Sequence, residues 1–199
     1  TSHDIEYYNG MENFHDAGEV LEGTKFKVQI KIAASFLPPM GYEVLKVCFH
    51  ERTSKRPEGD VVILKNGAEN KYLVMHIQED GTLSVTNKQT QETYHQLNTF
   101  VEKGDDGDEY NYSPCIDDTE IRINDIHPMI TCIESSSIEV KYRLEYQIQV
   151  PEKVVDHHRV QALKPLKICS DVSLKANSQT IDFVTKINNH SCDHIVRVC

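Results

Sequence analysis

Basic residues are scarce in this sequence, and the hallmarks of membrane and secreted proteins are missing. Among 199 residues, 21 Lys and Arg stand against 31 Asp and Glu, which gives a formal net charge of −10 with histidine counted as neutral. Duplex-DNA binding relies on clustered Lys and Arg, so this balance argues against a nucleic-acid partner. No apolar run approaches the roughly 18 residues of a membrane-spanning helix. The polar N-terminus also lacks a signal-peptide pattern.

The cysteines lack the spacing of a metal or redox motif. Six of them lie at positions 48, 115, 132, 169, 192 and 199, and no two form a C-x-x-C pair. This spacing suggests neither a zinc ribbon nor a thioredoxin-like site. A chain of this length can build a core without disulfides, so we expect reduced thiols and a cytoplasmic protein.

Motifs of common active sites are absent too. The sequence has no H-E-x-x-H, G-x-S-x-G or G-x-x-x-x-G-K-[ST] pattern. His157 and His158 are adjacent, but consecutive strand residues point to opposite faces, which favours surface histidines over a zinc site. The residues alone therefore identify no nucleophile, no general base and no metal ligand.

Alternation of apolar and polar residues is the dominant pattern. It is clearest in Lys25–Ile32 and Glu139–Val150, where every second residue is aliphatic or aromatic. Such alternation is typical of half-buried antiparallel strands, and Asn-Gly and Asp-Gly turns separate several of them. Further strands are predicted at Tyr42–His50, Val61–Leu64, Tyr72–Ile77, Leu83–Thr86, Thr119–Ile126, Met129–Ser135, Ile168–Leu174 and Ile181–Ile187. With one short helix candidate at Met11–Leu21, the pattern predicts an all-β sandwich or barrel.

The densest polar feature is the segment from Glu102 to Pro114, which holds five carboxylates, two glycines and two tyrosines. Unpaired carboxylates are costly to bury, so one interpretation is a solvated acidic loop. Its aspartates do not keep the EF-hand spacing, which disfavours a calcium loop. A sugar-binding edge fits better, since carboxylates accept hydroxyl hydrogen bonds and Tyr110 or Tyr112 offers an aromatic face.

Three stretches, read together, resemble glycoside hydrolase family 38, the retaining α-mannosidases and their bacterial mannosylglycerate hydrolase-like relatives. The first, Leu37-Pro38-Pro39-Met40-Gly41-Tyr42, is similar to the family's P-P-L-G-Y segment. The second runs from Leu83 to Pro114 and ends in G-D-D-G-D-E-Y-N-Y-S-P, which resembles the G-D-x-G-D-x-Y-[ND]-[YF]-S-P signature of bacterial members. The third, Ile187 to Val198, is similar to [FI]-x-N-x-x-x-D-H-x-x-R-V.

The resemblance implies that this chain is part of the family's large C-terminal antiparallel β-sandwich. We expect the sandwich over residues 24–199, truncated at both ends, after a poorly defined segment of residues 1–23. The family's catalytic aspartate and H-x-D zinc ligands belong to its N-terminal domain, and no H-x-D occurs here. We therefore expect no catalytic residue and no metal ligand in this chain, with Zn²⁺ bound by the parent catalytic domain.

The resemblance also implies a function. The parent would hydrolyse terminal α-mannosides with retention, and this chain, inactive alone, would pack with the N-terminal catalytic domain and supply a substrate-lining loop. Tyr110 and Asp108 match the positions expected near the bound sugar. Asp193, His194 and Arg197 are expected to serve structure in a buried charged network. The alternative is a free-standing carbohydrate-binding sandwich without enzymatic activity.

Overall fold

The computed structural model describes residues 2–8, 25–31, 39–42, 44 and 59–199. The chain divides into two compact units, Thr1–Pro57 and Glu58–Cys199. The helix predicted at Met11–Leu21 and most of the strand predicted at Tyr42–His50 lie outside the described residues. Within the described ranges, no helix has the length and apolar character needed to cross a membrane.

The described part of the first unit contains an antiparallel strand pair. Strands β1 (Ser2–Tyr8) and β2 (Lys25–Lys31) pair along their whole length, with Ser2 opposite Lys31. The strand predicted at Lys25–Ile32 is thereby confirmed, while no element was predicted at the residues of β1.

The second unit consists of short and long strands joined by turns. In chain order they are β3 (Val62–Leu64), β4 (Gly67–Glu69), β5 (Leu73–Ile77), β6 (Leu83–Asn87), β7 (Thr93–Leu97), β8 (Phe100–Gly104), β9 (Ile121–Arg122), β10 (Met129–Ser135), β11 (Glu139–Pro151), β12 (Val154–Val155), β13 (His158–Arg159), β14 (Leu163–Lys175), β15 (Ile181–Asn188) and β16 (His194–Val198). Strands β3 to β7 form a five-stranded sheet in chain order, and a four-stranded sheet has the order β10-β11-β14-β15. A third sheet has the order β16-β8-β9, and β12 with β13 forms a small hairpin. All these pairs are antiparallel.

Side chains that alternate between buried and exposed along the strands pack the two larger sheets around one hydrophobic core. Along β11, Val140 and Leu144 are fully buried while Glu145 is exposed. Met75 and Leu83, from the five-stranded sheet, belong to the same hydrophobic core. Burying each such side chain stabilises the fold by roughly 1.5–3 kcal/mol. The predicted all-β antiparallel sandwich is therefore confirmed.

One predicted strand, Thr119–Ile126, is shorter than expected. Strand β9 ends at Arg122, and a 3-10 turn, Ile123–Asp125, follows it. The side chain of Asn124 explains the change, because its Oδ1 accepts a hydrogen bond from the Phe100 amide (2.7 Å) and its Nδ2 donates to the Tyr146 hydroxyl (3.2 Å). These bonds require Asn124 to turn inward, where continued alternation would have pointed it to solvent.

Candidate functional site

Strand pairing brings together the second and third of the sequence stretches described above, residues 83–114 and 187–198. Strand β8 leads into the acidic loop, defined here as residues 105–118, and pairs with β16 so that Gly104 lies opposite His194. The amide of Asp105 then donates to the carbonyl of Asp193 (2.9 Å). The acidic loop therefore starts on a strand that the C-terminal signature holds in register.

A buried ion cluster of Glu102, Asp118, Arg159 and His194 lies under the loop. Glu102 is 0% exposed, and both of its oxygens accept hydrogen bonds from the Arg159 guanidinium. Arg159 also donates to Asp118 (3.2 Å), and Nδ1 of His194 lies 2.9 Å from Oε1 of Glu102. Burial lowers the pKa of Arg159, but the hydrogen bonds and charges of Glu102 and Asp118 outweigh it and leave that pKa above its ordinary value.

This cluster corrects two expectations. Glu102 was grouped with the solvated carboxylates of the acidic segment, yet it is buried, because Arg159 neutralises its charge and both Arg159 and His194 lie within hydrogen-bond distance of it. Of the three residues expected in a buried charged network, His194 is a member, whereas Asp193 and Arg197 are exposed. Asp193 still has a structural role, since its carboxylate accepts a hydrogen bond from the Val154 amide (3.1 Å).

The acidic loop is closed at a neck formed by Asp105, Asp106 and Ser113. Oδ1 of Asp105 accepts hydrogen bonds from the amides of Gly107 (2.9 Å) and Ser113 (3.0 Å). The amide of Asp106 donates to the carbonyl of Ser113 (2.8 Å). Asp105, one of the carboxylates that the sequence offered for sugar binding, is therefore committed to shaping the loop.

Beyond the neck, Asp108 fixes the turn that carries Tyr110. Its Oδ1 accepts hydrogen bonds from the amides of Tyr110 (2.9 Å) and Asn111 (2.8 Å), which hold the pKa of Asp108 below its usual value. A Cβ on Gly107 would lie 1.8 Å from the Asn111 carbonyl oxygen, so only glycine fits at that position. Asp108 itself is exposed, and it lies on the same turn as Tyr110.

The two tyrosines of the loop have different environments. Tyr112 is 39% exposed, and its ring is flanked by Nζ of Lys103 (4.4 Å from the ring centre) and the guanidinium carbon of Arg197 (5.6 Å). Such cation–π contacts attach the returning arm of the loop to β8 and β16. Tyr110 is 84% exposed. Sequence reasoning could not separate the two, because the flanking cations become neighbours only through strand pairing.

The β12–β13 hairpin also contacts the loop. His157, in its turn, forms an ion pair through Nδ1 with Oδ2 of Asp106, and its carbonyl accepts a hydrogen bond from the Ile116 amide (2.8 Å). The hydrogen bond and charge of Asp106 raise the pKa of His157. His157 is indeed a surface histidine, but sequence reasoning missed its partner because 51 positions separate the two residues.

The acidic loop presents exposed polar and aromatic groups to solvent. Among the residues that the structure describes, no group of three or more His, Cys, Asp or Glu is placed to hold a metal ion. The buried carboxylate of Glu102 and the partly buried carboxylate of Asp118 are already paired with Arg159. What the loop offers to a ligand is a projecting phenol, its ring face and neighbouring exposed carboxylates.

Comparisons with known proteins agree with this architecture. Residues 68–198, more than half of the chain, match the family model described as the glycosyl hydrolases family 38 C-terminal domain. The chain is similar to the crystal structure of an alpha-mannosidase from Enterococcus faecalis V583, with 27% sequence identity and a TM-score of 0.67. The match covers 71% of this chain and 18% of that chain. A protein in the glycosyl hydrolase family 38 from Enterococcus faecalis is 26% identical, with a TM-score of 0.69, and the match covers 74% and 20%. No curated protein matches the chain.

The antiparallel sandwich and its matches define a domain of the glycosidase class. More particularly, the chain belongs to glycosyl hydrolases family 38, in which it corresponds to the C-terminal domain. This finding confirms the resemblance to the family, and the second and third of the stretches that suggested it lie within the matched residues. The chain spans about a fifth of the length of the solved structures that it matches.

Proposed function

We propose that this chain is the non-catalytic C-terminal sandwich of a retaining, zinc-dependent α-mannosidase, and that its acidic loop lines the active site. Family membership and 27% identity to a protein described as an alpha-mannosidase support the activity of the parent. The observation that carries the role of the loop is Tyr110, which is exposed at the tip of a loop closed at its neck. The partners would be the N-terminal catalytic domain of the same protein and a terminal α-mannoside in the cytoplasm.

The bond-breaking chemistry belongs to the parent catalytic domain. In retaining glycosidases, a carboxylate attacks the anomeric carbon, and a second carboxyl group acts first as acid and then as base. Zn²⁺ held by that domain would contact sugar hydroxyls. Among the described residues of this chain, no group of three or more His, Cys, Asp or Glu is placed to hold it. No step of the reaction is assigned to the sandwich.

Within that scheme, this chain binds and orients the sugar. The Tyr110 phenol can donate to or accept from a sugar hydroxyl, and its ring can lie against an apolar sugar face. Asp108 holds the Tyr110 amide and keeps an exposed carboxylate beside it, so it would line the same face. Such positioning raises the rate by keeping the scissile bond at the catalytic carboxylates.

Replacing Tyr110 by phenylalanine in the full-length protein tests the role of the loop. We expect kcat/KM on an aryl α-mannoside to fall about tenfold, which corresponds to the loss of one hydrogen bond of about 1.4 kcal/mol. Tyr94→Phe is the matched control, because Tyr94 is an exposed tyrosine on β7, outside the loop, and should retain wild-type kinetics. A Tyr110→Phe variant with wild-type kinetics would refute the assignment.

Two further measurements separate the proposal from the free-standing binding module. The full-length protein should hydrolyse the aryl α-mannoside only with zinc present, and the 199-residue chain alone should give no turnover. Measurable hydrolysis by the chain alone would overturn the assignment of catalysis to another domain. Mannoside affinity of the isolated chain equal to that of the full-length protein would favour the binding module.

A further inference from the structure

The turn of the β12–β13 hairpin places two residues, Asp156 and His157, in the left-handed backbone region. Val155 and His158 pair directly, so Asp156 and His157 form a two-residue turn, and both have left-handed backbones, with φ of 49° and 64°. Asp and His are among the non-glycine residues that adopt positive φ most readily, so the sequence is compatible with this turn. The position of the His157 side chain is set by its contact with the acidic loop.

That contact reaches both ends of the acidic loop. The Nδ1 of His157 pairs with the carboxylate of Asp106, whose own amide closes the neck onto the Ser113 carbonyl. The carbonyl of His157 accepts a hydrogen bond from Ile116, on the returning arm. The imidazole is 70% exposed, and its Nε2 has no hydrogen-bond partner within the described part of the chain. Its position is therefore set by the loop and not by core packing.

The hairpin holds the loop in two separable ways. Arg159 fixes the base of the loop from inside, through Glu102 and Asp118. His157 fixes the neck from outside, through Asp106. Tyr110 lies between Asp106 and Ser113 in sequence, so an open neck would release the turn that presents it. Because His157 lies outside the buried ion cluster, its replacement should leave the sandwich folded.

We propose that His157 is a positioning residue for Tyr110, which it orders by clamping Asp106 at the neck of the acidic loop. This inference rests on the proposed function of the loop. Two carboxylates act on the imidazole, Asp106 from the loop and Asp156 from its own hairpin. The hydrogen bond to Asp106 has the larger effect on the pKa of His157.

The clamp has a defined pH dependence. Because Asp106 raises the pKa of His157 above 6.5, the charged clamp is fully formed below pH 6.5 and weakens as the pH rises through that raised pKa. Asparagine at position 157 would keep a side-chain N–H donor and tolerate the left-handed backbone, yet it cannot titrate.

The test uses the full-length protein and four variants: His157→Ala, His157→Asn, Asp106→Asn and, as control, His158→Asn. His158 is the adjacent exposed histidine of the same hairpin. Hydrogen exchange of the segment 106–113 reports on the neck, and kcat/KM on an aryl α-mannoside between about pH 5 and pH 9 reports on Tyr110.

We expect His157→Ala to lower kcat/KM about tenfold and to speed exchange in residues 106–113. His157→Asn should restore kcat/KM to within about threefold of wild type and remove one ionisation above pH 6.5 from the profile. Asp106→Asn should remove the same ionisation, and His158→Asn should match wild type in both measurements. Failure of His157→Asn to restore the rate would overturn the donor role of His157.

The outcomes separate this inference from the proposed function. Wild-type exchange of residues 106–113 in His157→Ala overturns the inference alone, because Tyr110→Phe still reports on the function of the loop. The inference is also overturned if His157→Ala shows faster exchange but a wild-type kcat/KM while Tyr110→Phe is impaired. If Tyr110→Phe has wild-type kinetics, the proposed function fails, while faster exchange in His157→Ala still supports the clamp.

Discussion

Replacing Glu102 by alanine removes the carboxylate on which the buried ion cluster converges. The Glu102 side chain is 0% exposed, and the side chains of its partners, Arg159 and His194, are 9% and 3% exposed. The truncation leaves Asp118, at 3.2 Å, as the carboxylate that still pairs with Arg159. It also removes the acceptor that Nδ1 of His194 contacts at 2.9 Å.

The expected loss of unfolding free energy follows from the Arg159 charge, which stays buried after Glu102 is truncated. Removing one partner of a buried ion pair costs about 3–5 kcal/mol, because the other charge remains desolvated. Asp118 continues to neutralise Arg159, so we expect Glu102→Ala to lie at the lower end, at about 3 kcal/mol. Glu102→Gln keeps the volume and one acceptor, and we expect it to cost about 1–2 kcal/mol.

Urea unfolding followed by circular dichroism measures this loss, and the technique suits a chain without tryptophan. Glu145→Ala is the matched control, because Glu145 is an exposed strand glutamate on β11 and its removal should change stability by less than about 0.5 kcal/mol. A stability loss of less than about 0.5 kcal/mol in Glu102→Ala would contradict the structure, since surface substitutions commonly cause changes of that size.

Two other predictions concern ionisable side chains. Arg143 donates two hydrogen bonds to Asp171 (2.7 and 2.8 Å) and holds the pKa of that carboxyl below 3.8. The ion pair stabilises the fold above pH 3.8, and this stabilisation is lost as the pH falls through the lowered pKa of Asp171. The difference in unfolding free energy between the wild type and Asp171→Asn should therefore disappear only in acid. A difference that does not change with pH would exclude this pairing. Burial, together with the Asp118 carboxylate, raises the pKa of the Cys115 thiol, so iodoacetamide should modify Cys115 much more slowly than exposed Cys199 in the folded chain. Equal rates by mass spectrometry would rule out the buried position.

Local sequence patterns predicted those elements whose burial alternates along one strand. The strand predicted at Met129–Ser135 has the same bounds in the structure, and Glu139–Val150 differs from β11 by one residue. The exposure of Tyr110 also followed from local composition, because charge and glycine around it disfavour packing. In each case, the physical cause lies within a few residues of the position it affects.

Long-range pairing determines what the sequence did not reveal. Glu102 and Glu109 look alike in one acidic run, yet only Glu102 is buried, because β16 and the β12–β13 hairpin bring His194 and Arg159 to it. Position 102 lies in alternation with buried Phe100 and Gly104 on β8, which is the local signal that could have identified it. The role of His157 had no local signal, since Asp106 becomes its neighbour only through the fold.

The closed neck of the acidic loop also has a consequence for protein engineering. Residues 107–112 lie beyond the neck, and no strand pair includes them. The residues between Asp108 and Tyr112 can therefore vary without shifting the register of β8 with β16. A library randomised at positions 109–111, with Gly107, Asp108 and Tyr112 retained, would explore new ligand preferences while the sandwich folds as before. With the loop in its proposed role, recognition can evolve separately from folding in this domain.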